Sequence, residues 1–87
     1  MLNELDIKIL IVLYELKYNY RQQLNFKEIG FENNQHAASH LLKLRTFRFI
    51  DFDDNEVFNK LKKDLTICAE NIDLLVKGYE EVKKHLL

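Results

Sequence analysis

Gln35-His36-Ala37-Ala38-Ser39-His40-Leu41-Leu42-Lys43-Leu44 lies within an interval, Asn33 to Ile50, that contains no Asp or Glu, although the chain carries a net charge of −1. At ~100° per residue, a helix here puts Gln35, His36, Ser39, His40, Lys43 and Thr46 on one face. Ala37, Ala38, Leu41 and Leu44 fall on the other. Such a helix buries its small and leucine side and offers imidazole, amide, hydroxyl and ammonium groups to an anion, for which DNA is the natural candidate.

Charge is distributed in blocks around this helix. Arg45 and Arg48 extend its positive character, an acidic cluster of Asp51, Asp53, Asp54 and Glu56 follows, and Lys60, Lys62 and Lys63 form a second basic block. The near-zero total argues against a non-specific DNA coater, which works by neutralising phosphates over a large basic surface. Eighty-seven residues, 47% hydrophobic and 31% charged, fit one globular domain, residues 1–87. The longest apolar run, Ile9 to Tyr14, is too short to cross a bilayer, and one cysteine cannot form an internal disulfide. The charged N-terminus lacks a signal-peptide pattern, so a cytoplasmic protein with no membrane partner is expected.

The first helix is expected over residues 1–20. Its apolar residues form two faces: Leu5, Ile9, Val12, Leu13, Leu16 and Tyr20 on one, and Ile7, Leu10, Ile11, Tyr14 and Tyr18 on the other. Either a small fold wraps this helix on most sides, or the second face pairs with another subunit. The expectation is a homodimer through Ile7, Leu10, Ile11, Tyr14 and Tyr18, with Tyr79, Val82 and Leu86 of the last helix.

A short helix starts after Asn25, with Asn25 as cap, Glu28 reaching back in a capping box and Leu24 stapled onto Ile29. Gly30 weakens it, Asn33-Asn34 marks a turn, and Asn33 or Asn34 caps the next helix, which runs to about Phe47. Arg48 to Phe52 alternates as a strand does, Asp53-Asp54-Asn55 is turn chemistry, and Asp64 to Ile67 is a returning strand. Between them, Glu56 to Lys63 reads either as a hairpin loop or as a short helical turn with Val57, Phe58 and Leu61 inward. After Asn71, Ile72, Leu75, Val76, Tyr79, Val82 and Leu86 line one stripe of a helix over 71–87, ~25 Å long at ~1.5 Å per residue.

This order resembles the winged helix-turn-helix layout of the ArsR-like and MarR-like transcriptional regulators. Ser39-His40-Leu41-Leu42-Lys43-Leu44 resembles the end of their recognition helix. Thr46 to Asp51 looks like the turn into the first wing strand, which in those families usually contains a glycine. Leu65 to Leu75 looks like the passage from the second wing strand into the final helix, with Cys68 where Thr is common and Asn71 where Gly is common. The expected fold is mainly α with a small β-hairpin wing (α+β): helix-turn-helix at 25–47, wing at 48–67, long C-terminal helix at 71–87.

The resemblance implies a sequence-specific, homodimeric transcriptional regulator that binds double-stranded DNA. Asn34, Gln35, His36 and Ser39 would read base edges, with Asn and Gln suited to adenine. His40, Lys43, Arg45, Arg48, Lys60, Lys62 and Lys63 complete the expected DNA-binding set, the lysines and arginines positioning the domain on phosphates. The alternative is a winged-helix module that docks a protein partner without binding DNA. His36 and His40 have a chelating spacing, but no second paired motif completes a metal site. Cys68 reads as a small buried residue, with a redox role as the rival. The only serine, Ser39, has no orienting carboxylate nearby in sequence, and there is no glycine-rich phosphate loop, so neither an enzyme nor a cofactor is expected.

Overall fold

The structure is a computed structural model describing residues 2–16 and 23–86. The elements run α1 (Glu4–Leu16), β1 (Gln23–Asn25), α2 (Phe26–Ile29), α3 (Asn34–Thr46), β2 (Ile50–Phe52), α4 (Asp54–Asp64), β3 (Thr66–Cys68), a 3-10 turn (Ala69–Asn71), β4 (Ile72–Leu74) and α5 (Val76–Leu86). The result is a small, mainly helical α+β domain with two two-stranded antiparallel sheets and a C-terminal helix. No helix among the described residues is long and apolar enough to cross a membrane.

Local chemistry sets the helix starts. Asn3 and Asp6 cap α1 reciprocally: the Asn3 backbone N–H donates to Asp6 Oδ2, and the Asp6 N–H donates to Asn3 Oδ1, both at 3.0 Å. Asn25 Oδ1 accepts from the N–H groups of Lys27 and Glu28 to cap α2, and Asn33 Oδ1 accepts from the His36 N–H at 2.8 Å to cap α3. Gly30 ends α2 at φ 132°, a conformation L side chains rarely adopt.

The C-terminus of α3 forms a Schellman motif. The Phe49 N–H donates to the Leu44 carbonyl and the Arg48 N–H to the Arg45 carbonyl, with Arg48 left-handed at φ 65°. The position where glycine is usual is thus held by an arginine.

Ile9, Leu10 and Leu13 of α1 join Leu24, Phe26, Phe31, Ala37, Leu41, Leu44, Ile50, Val57, Leu61, Ile67 and Val82 in one core. At α1 the expectation of two separate faces is corrected. Leu10 and Val82, expected at a dimer interface, are 0% and 1% exposed because α5 packs along α1 within the same chain. Ile7, Ile11, Tyr14 and Tyr79 are half-buried, with the Tyr14 and Tyr79 rings edge to face at 5.9 Å. Among the described residues the helix runs Glu4–Leu16, and the rest of the expected span after residue 16, Tyr18 and Tyr20 included, lies outside the described residues.

The wing expected at 48–67 is also corrected. Strand β2 forms, but its partner is β4, with Ile50 opposite Leu74 and Phe52 opposite Ile72; β3 pairs instead with β1, Leu24 opposite Ile67. Between β2 and β3 the chain is helical. Asp53 caps α4 by accepting from the Asn55 and Glu56 N–H groups, Val57 and Leu61 turn inward, and acids occupy its first turn and lysines its last, matching the helix dipole.

The C-terminal helix begins at Val76 rather than Asn71. Ile72, Asp73 and Leu74 alternate buried, exposed and half-buried, the period of a strand. Eleven residues give α5 ~16 Å of length, in place of the ~25 Å expected of a helix over 71–87.

Candidate nucleic-acid interface

Along α3, Gln35, His36, Ser39, Leu42 and Thr46 are exposed, Asn34 is half-buried, and Ala37, Leu41 and Leu44 are buried. The two-faced reading of this helix therefore holds, with one correction: His40 is only 8% exposed. It turns inward because α1 supplies a buried carboxylate. Asp6, fully buried, has Oδ1 2.5 Å from His40 Nδ1 and Oδ2 2.7 Å from Lys43 Nζ. Burial alone would raise the Asp6 carboxyl, but the bonds from Lys43, from the Asn3 N–H and from His40 outweigh it and hold the group below its ordinary range.

Phe31, from the turn between α2 and α3, closes this corner. Its ring lies edge to face with His36 at 5.0 Å and with His40 at 5.1 Å, and the two imidazoles are 4.9 Å apart. His36 remains exposed at the rim.

Arg45 is committed elsewhere. Its guanidinium pairs with Asp54, donates to the Phe52 carbonyl at 3.3 Å and lies 4.4 Å from the centre of the Phe52 ring, tying the end of α3 to the start of α4. The bond from Arg45 holds the Asp54 carboxyl below its ordinary range. Two of the expected phosphate-positioning residues, Lys43 and Arg45, are therefore neutralised within the fold.

Arg48, Lys60, Lys62 and Lys63 are exposed. Lys62 shares a groove of about 330 Å³ with Asn34, Gln35, Ala38, Leu42, Phe58 and Leu61, so α3 and α4 present one surface. Lys60 and Lys63 line a separate hollow with Asn55, Glu56, Asn59 and Asp64. The structure thus brings Asn34, Gln35 and Lys62 together, leaves His36, Ser39 and Arg48 exposed, and takes His40, Lys43 and Arg45 into internal contacts.

Sequence reasoning missed Asp6, Asp54, Phe31 and Phe58 as parts of this region. A signal for Asp6 was present: it follows Asn3 at capping-box spacing and lies on the stripe of Ile9, Leu10 and Leu13. An acid on the core stripe of an apolar helix demands a buried partner.

Among the described residues no group of three or more His, Cys, Asp or Glu is arranged to share a metal ion. Cys68 is half-buried at the end of β3. Comparison of the chain with known protein families, with curated proteins and with solved structures finds no match.

Proposed function

We propose that this protein is a DNA-binding transcriptional regulator of winged-helix type that reads duplex DNA with α3. The observation that carries the reading is the unit α2, turn, α3. A glycine-containing turn joins the two helices, Asn33 caps the second, and that second helix carries no acid and has Gln35, His36, Ser39 and Thr46 exposed. A helix-turn-helix protein lays such a helix in the major groove with its N-terminal residues on base edges.

The left-handed Arg48 supports the same reading, since it occupies the glycine slot between recognition helix and wing strand. Strands β2 and β4 then correspond to the wing pair, with α4 inserted between them. Arg48, Lys60, Lys62 and Lys63 supply the phosphate contacts, and Gln35 and Ser39 the base contacts. Homodimerisation belongs to the proposal, because Val76 and Leu86 on α5 are 74% and 53% exposed. Leu10 and Val82 take no part in it.

The test is selection from a randomised duplex pool. A motif should be enriched by the native protein, and Gln35→Ala and Ser39→Ala should relax it by ~1–3 kcal/mol at single positions. An unchanged motif in both variants contradicts base reading by α3.

A second reading has its own observation. Ala38, Leu42, Phe58 and Leu61 make the α3/α4 groove largely apolar, and Leu42 is 40% exposed. That surface suits an apolar protein segment, and a protein-docking module would bind no duplex even at low salt.

A further inference from the structure

We infer that the Asp6–His40 pair couples DNA binding by α3 to the uptake of one proton, so that the protein grips duplex DNA more tightly in mildly acidic than in mildly alkaline solution. This rests on the proposal that α3 is the DNA-reading helix.

An ionised carboxylate only accepts hydrogen bonds, so the 2.5 Å contact fixes the proton of neutral His40 on Nδ1. The other ring nitrogen, Nε2, then carries a lone pair. No protein group bonds to it among the described residues, and no buried side-chain nitrogen or oxygen there lacks a partner, so Nε2 reaches solvent. The ring is held by Asp6 behind and by the Phe31 and His36 rings at its sides.

A proton taken from water onto Nε2 breaks no bond. It yields an imidazolium with one N–H committed to Asp6 and the other facing out beside the exposed His36. The charged groups around His40 are Asp6 from α1 and Lys43 and His36 from α3, while Phe31 is neutral. Asp6 and Lys43 offset each other, so the added proton gives this corner a net positive charge. A phosphate at the flank of α3 favours that form. By linkage, a complex that prefers the protonated form takes up protons and so tightens as pH falls.

The test is fluorescence anisotropy with a labelled random-sequence duplex at constant ionic strength. The native protein should bind about five- to tenfold tighter at about pH 6 than at about pH 8. His40→Gln should reduce that ratio to below about twofold, whereas His36→Gln should keep at least half of it on a logarithmic scale. Equal affinity at both pH values, or an undiminished ratio in a folded His40→Gln, overturns the inference.

Should His40→Gln fail to fold, the ring proton resonance of His40 in the native protein decides. Its titration midpoint should move to higher pH when duplex is added, and an unmoved midpoint overturns the inference. Absence of duplex binding at either pH and low salt overturns the DNA reading as well, whereas binding without pH dependence overturns this inference alone.

Discussion

Gly78 of α5 lies against the backbone of Phe49: a β-carbon at position 78 would stand 2.5 Å from the Phe49 carbonyl oxygen and 2.6 Å from Leu74 Cδ1. The same carbonyl accepts from the Leu75 N–H at 3.0 Å, so α5 is seated directly on the segment that leaves α3. Helix propensity favours alanine over glycine by ~1 kcal/mol, but overpacking against backbone costs ~1–3 kcal/mol. Gly78→Ala is therefore expected to lower the thermal midpoint by several degrees in a circular-dichroism melt. A raised midpoint would contradict the close seating of α5.

At Arg48, stability and the proposed DNA binding are expected to move in opposite directions. A non-glycine residue in the left-handed region costs ~1–2 kcal/mol, and Arg48 is exposed at φ 65°. Arg48→Gly should raise the denaturation midpoint in urea while weakening DNA binding by removing one phosphate contact. A variant that is both more stable and equally tight on DNA would remove Arg48 from the interface.

Asp6 governs the response to acid. Its folded-state carboxyl is held below the unfolded value of ~3.9, so its contribution is fully present above that value and is lost as pH falls through the lower folded one. Asp6→Asn should cost ~1–3 kcal/mol at neutral pH, because Lys43 and His40 lose a charged acceptor. The same variant should lose less of its remaining stability than the native protein as pH drops below ~4. Parallel acid unfolding curves for the two proteins would show that Asp6 does not carry this dependence.

The centre of the fold was legible in sequence because its signals are local. Asn25 and Asn33 cap helices two and three residues downstream, and the alanine and leucine positions of α3 mark its buried face without reference to the rest of the chain. Strand pairing was not legible in this way. Each strand has three residues, too few for alternation to stand out, and β1 finds its partner at Thr66–Cys68, far along the chain.

Asp53-Asp54-Asn55 serves a helix N-terminus as readily as a turn, and only the inward Val57 and Leu61 make the segment a helix. The candidate interface was legible as residue types but not as partnerships. Lys43 and Arg45 read as free cations until Asp6, 37 residues away, and Asp54, nine residues away, are brought against them.

The central claim, that α3 and the cations beside it bind duplex DNA, is tested most directly by the salt dependence of binding. Titration of a labelled duplex between about 50 and 200 mM salt should give a log-log slope near −3.6 if Arg48, Lys60, Lys62 and Lys63 each neutralise one phosphate, at ~−0.9 per contact. Lys62→Ala should flatten that slope by about one unit and weaken unrelated duplex sequences alike. No binding at the lowest salt, or a slope that Lys62→Ala and Arg48→Ala leave unchanged, would contradict the account and favour protein docking in the α3/α4 groove.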